Sequence, residues 1–222
     1  MRVVTGVKVV AAVAVVVAAA ACSVPGEAVR PVDLSAKAAP AAAFPYGPGQ
    51  AIGSAQVAGL LADLTFRPLR GENDPADCTP APVDTDTAQV RVGPGGTAQG
   101  TLTAVVVRTA EPFDDFLGRL RRCPTFTLGG TVGTTVTTEV AAADAAAGTV
   151  EIERRITMGP PPATGGTPPP RTSVTEFVAQ RGNLRVYVQN RRAGDGALGA
   201  EEMTATRGLF DAARASAFPA GS

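Results

Sequence analysis

Three cysteines, one misplaced arginine and a run of acids are the residues of this chain whose types and positions could do chemistry. Cys22 directly follows the small residues Ala19, Ala20 and Ala21. These close an apolar run, Val9–Ala18, that stands behind the basic residues Arg2 and Lys8. A basic start, a short apolar run and small residues make a secretory signal. A cysteine at that point is where a bacterial lipoprotein receives its lipid anchor. The run is shorter than the about 20 apolar residues that a membrane span needs. Cys78 and Cys123 remain, and in the oxidising space beyond the membrane two cysteines pair most simply as one disulfide. A reactive thiol pair would want C-x-x-C spacing or a neighbouring histidine, and the sequence has neither.

Arg154 interrupts an alternating apolar row formed by Val150, Ile152, Ile156 and Met158. A sheet with one buried face places Phe177 and Ala179, and Leu184, Val186 and Val188, on that same face with Arg154. Glu151, Glu153, Arg155 and Glu176 then lie opposite. An inward guanidinium is one of three things: an edge residue reaching water, a paired buried ion, or the anchor of an anionic ligand. The acids Glu72, Asp74, Asp77, Asp84 and Asp86 surround Cys78 and could supply oxygens to calcium. They do not follow EF-hand spacing and read as a solvated loop, so no metal site is expected. Gly93–Gly96 lacks the lysine and helix of a phosphate cradle and reads as a turn. The chain has no histidine, which removes the Ser-His-Asp triad, the Cys-His pair and the usual zinc site. No catalytic residue and no cofactor are expected.

The elements that must position these residues follow from composition and period. Segment 1–21 is the signal and 22–49 an Ala/Pro-rich tether carrying the lipidated Cys22. Residues 50–218 form a single domain. Without the signal, the 20 Lys and Arg lose two members against 20 Asp and Glu, leaving a formal charge of about −2. That gives no electrostatic reason to bind nucleic acid. Ile52, Val57, Leu60, Leu61 and Leu64 share a helical face that ends by Pro68. Strands are expected around Ala88–Val92, over Thr101–Arg108, from Val132 to Val140, and from Val150 to Met158. Two more flank the turn Arg181-Gly182-Asn183. A helix follows Pro112, with Asp114 and Asp115 in its first turn and Arg119, Arg121 and Arg122 in its last, matching the helix dipole. Gly159–Pro170 is a Pro/Gly-rich loop, and a final helix spans about Leu198–Ala217. The order predicts an α+β domain: an antiparallel sheet of five to seven strands with two or three helices on one face.

Over roughly residues 50–217 the layout resembles a group of actinobacterial, chiefly mycobacterial, lipoproteins and the extracellular sensor domain of a mycobacterial Ser/Thr protein kinase. The resembling parts are Cys78 in its Pro/Asp-rich loop, the strand-helix-cysteine segment Thr101–Cys123, and the Val-rich strand Leu184–Gln189 before the last helix. The kinase domain has two disulfides where this chain has cysteines for one. The resemblance implies a sensor or binding module. The expectation is therefore an envelope lipoprotein, tied to the cell membrane by its lipid, that binds a small molecule, lipid or protein. A carboxylate-based envelope hydrolase or transferase and a structural adaptor are the alternatives.

Overall fold

Alternating and β-branched segments build one antiparallel sheet of eight strands in this computed structural model, which describes residues 32–96, 100–130, 133–159 and 169–219. In chain order the strands are β1 (Gln50–Ala51), β2 (Gln89–Pro94), β3 (Thr101–Arg108), β4 (Thr125–Leu128), β5 (Thr134–Asp144), β6 (Thr149–Thr157), β7 (Arg171–Arg181) and β8 (Leu184–Ala193). Three α-helices join them: α1 (Ser54–Thr65), α2 (Phe113–Arg122) and α3 (Ala200–Ala217). The spatial order is β1-β2-β3-β8-β7-β6-β5-β4. After β3 the chain therefore runs through α2 to the far edge at β4. It then returns strand by strand until β8 pairs with β3. Cys22 with its signal, Val132, and most of the Gly159–Pro170 loop lie outside the described residues.

The α+β class holds, but three finer expectations are corrected. The sheet has eight strands, because it also contains β1, two residues long and too short to show a period, and β4, whose four residues Thr125-Phe126-Thr127-Leu128 make only two apolar steps. Helices cover both faces of the sheet. Leu209, Phe210 and Ala213 of α3 pack on Leu102, Val106, Phe177, Ala179, Val186 and Val188. On the other face, Leu61 and Leu64 of α1 and Phe116 and Leu120 of α2 pack on Val105, Val107, Val150, Ile152, Val178 and Tyr187. Residues 34–49, read as part of a tether, belong to the packed body. Leu34, Ala39 and Phe44 are buried against the α3 side, and the Lys37 ammonium donates to the Ala217 carbonyl at 3.0 Å. A few apolar anchors suffice to order a Pro/Ala-rich segment when a groove beside a helix receives them.

Two helix ends shape the interior on the α1/α2 side of the sheet. Helix α1 stops when Phe66 turns left-handed (φ 59°, ψ 27°), a conformation that bulky residues adopt rarely. The carbonyls freed there are taken up internally: Gln189 Nε2 donates to Leu64 O at 3.3 Å and Asn73 Nδ2 to Phe66 O at 3.1 Å. Helix α2 starts after Pro112 and ends at Cys123, which is bonded to Cys78 across a sequence separation of 45 residues. Among the described residues, no helix is long and apolar enough to cross a membrane.

Candidate functional site

Arg154 points inward, as its place in the row Val150-Ile152-Ile156 requires, and is only 6 % exposed. Its surroundings differ from the expectation of a single buried face. Across β6–β7 the register pairs Arg154 with Val174 and Ile152 with Glu176. The even positions of both strands therefore share the α1/α2 face. Phe177 and Ala179 lie on the α3 face, where Val186 and Val188 do join them. Glu176, placed opposite Arg154 from sequence, lies beside it. Met158 falls beyond the end of β6 and is exposed.

Arg154 is a paired buried ion. Its Nε donates to Glu176 Oε2 at 3.3 Å and its Nη1 to Thr138 Oγ1 at 3.0 Å. The guanidinium carbon lies 4.5 Å from the centroid of the Phe66 ring. The left-handed turn at Phe66 thus has a visible consequence: it ends α1 and brings an aromatic face against a buried cation, a favourable arrangement.

Two further guanidiniums share this chamber. Arg185 of β8 is fully enclosed. Its Nε donates to Gln180 Oε1 at 2.7 Å, and its Nη1 to Glu111 Oε2 at 3.0 Å and to Tyr187 Oη at 3.1 Å. Arg119 of α2 reaches the same Glu111 carboxylate, 2.9 Å from Oε1. Arg185 and Arg119 both lie over the Phe116 ring, at 4.2 and 5.5 Å. Between these groups and the Cys78–Cys123 bond is a narrow cavity. It is lined by Arg119, Arg154, Arg185, Glu111, Glu176 and Tyr187, with about 20 Å³ open to the centre of a water-sized molecule.

The electrostatics are set by burial. Desolvation pushes the Arg119 pKa down and the facing Arg185 charge adds to this, while Glu111 opposes both. Burial also works against the Arg185 cation, but its bonds to Tyr187 and Glu111 outweigh that and leave its pKa raised. Burial pushes the Tyr187 phenol up. It is neutral near pH 7, so the negative charge facing Arg185 is that of Glu111.

Sequence reasoning missed Arg119, Arg185, Glu111, Glu176 and Tyr187 as members of a site. Arg119 is fully explained, from sequence, as a charge in the last turn of α2. Glu176 and Arg185 lie in strands buried on both faces, where every second residue looks like a solvent position if one face is assumed wet. The carboxylate alternative finds its best seat on the α3 face. There Glu139 and Glu153 are register partners beside a groove of about 200 Å³. Burial raises the Glu153 pKa, while the Thr175 hydroxyl, donating at 2.8 Å, lowers it. The sequence matches no protein-family model and no curated protein.

Proposed function

We propose that the chain is an extracytoplasmic lipoprotein, held at the cell membrane by a lipid on Cys22. Its α+β domain binds or senses a small molecule, lipid or protein without transforming it, as the resemblance to actinobacterial lipoproteins and a kinase sensor domain suggests. The observation that carries this reading is the buried cluster of Arg119, Arg154 and Arg185 around one cavity. Guanidiniums do not titrate near neutral pH. A rigid array of them therefore suits recognition of negative charge and is poorly suited to the proton transfers of a hydrolase. The Nε of Arg119 supports the same reading, because it is buried with no hydrogen-bond partner and so is a donor open to a ligand.

Native mass spectrometry of the protein purified from its own host membrane tests the proposal. A non-covalent adduct of defined mass, released intact on denaturation, is the expected result. An adduct-free protein that hydrolyses envelope glycans or esters, and loses that activity in Glu153→Gln, would replace binding with the carboxylate alternative.

A further inference from the structure

The chamber holds more positive than negative charge. Three guanidiniums, those of Arg119, Arg154 and Arg185, face two carboxylates, those of Glu111 and Glu176. Each of the five is at least nine-tenths buried as a side chain. Arginine cannot shed its proton to relieve the imbalance, and an uncompensated charge away from water is costly. The pairing shows which cation is in surplus. Glu176 is engaged by Arg154, whereas the single carboxylate of Glu111 is shared between Arg185 and Arg119. Arg119 also carries, alone of the three, a fully buried nitrogen with no hydrogen-bond partner, its Nε.

The remaining space limits what can answer this charge. About 20 Å³ for the centre of a water-sized molecule admits one such particle. Phosphate, sulfate or a carboxylate-bearing ligand would need the lining side chains to move apart. Water would satisfy the Arg119 donor but leave the charge standing. We infer that the cavity beneath the Cys78–Cys123 bond binds a single monatomic anion, a halide, held by Arg119. The inference deepens the binding proposal and rests on it for the idea that this chamber is a ligand site.

Thermal unfolding of the full chain in sodium chloride or bromide, against sodium gluconate at equal ionic strength, provides the test. A Tm that climbs with the logarithm of halide concentration, and stays flat in gluconate and sulfate, is expected. Crystals grown in bromide should show one anomalous peak within hydrogen-bond distance of Arg119. Arg119→Met leaves each carboxylate with an arginine, Glu111 with Arg185 and Glu176 with Arg154, so this variant should fold. It should lose the halide response and the bromide peak. Coincident halide and gluconate curves for the native chain, or a response that survives in Arg119→Met, would overturn the inference. If native mass spectrometry still found an organic ligand, binding would stand and only the halide site would fall.

Discussion

Arg154 is the residue where sequence and structure meet most closely, because a charge in an otherwise apolar row has few places to go. Its inward direction was legible. Its partner was not, since that depended on which face of β7 carries Glu176. The pair now fixes the expected response to mutation. Arg154→Met leaves the Glu176 carboxylate, 1 % exposed, without its cation, and removes the contacts to Thr138 and Phe66. Breaking a buried pair from one side costs about 3–5 kcal/mol, whereas replacing both partners by apolar groups of similar volume is often neutral. Urea denaturation should therefore show Arg154→Met strongly destabilised and Arg154→Met/Glu176→Leu recovering most of the loss. A single mutant as stable as the native chain would mean that the two charges are not coupled.

At the scale of elements, the longer units were readable and the short or doubly buried ones were not. Helix α2 announced itself through Phe116, Leu117 and Leu120, with Pro112 before it, and β3 through its run of valines. Strand β1 is too short to carry a period, and the alternation of β4, Phe126 and Leu128 against Thr125 and Thr127, spans only four residues. Residues 34–49 have the composition of a spacer but are anchored by Leu34 and Phe44, a tertiary effect that local propensity does not encode. The disulfide was legible from the cysteine count, and its role comes from where it lies. It ties the end of α2, and with it Arg119, to the loop that covers the arginine cavity. Closing a loop of 45 residues stabilises the fold by about 4 kcal/mol in the chain-entropy model. Cys78→Ser/Cys123→Ser should lower the urea midpoint accordingly and also weaken the halide response, because the wall of the cavity is released. A double mutant with an unchanged midpoint would show that packing alone holds the loop.

At the scale of the whole molecule, the decisive error in reading the sequence concerned layers. Antiparallel sheets often keep one face wet, and a single buried face was assumed for this one. Here α3 covers one side of the central strands and α1 with α2 the other. Parity within a hairpin such as β7–β8 follows from its two-residue turn, Gly182-Asn183, and that part was right. Parity across the loop from β6 to β7 cannot be counted from sequence, because a long loop joins either register equally well. Fold class was therefore readable, and the identity of the residues facing Arg154 was not.

The proposed lipid anchor at Cys22 lies outside the described residues. The sequence carries 20 Lys and Arg against 20 Asp and Glu, a balance that gives no net attraction to an anionic membrane surface, and among the described residues no helix is long and apolar enough to cross a bilayer. On the proposed lipoprotein reading, membrane retention should depend on chemistry at Cys22. The N-terminal peptide of the mature protein is expected to begin at Cys22 and to carry an acyl mass. Cys22→Ser should lose that mass, and it should leave the signal uncut if processing waits for the lipid. A mature native chain that begins elsewhere, or begins at Cys22 without acyl mass, would sink the lipoprotein assignment whatever the domain binds.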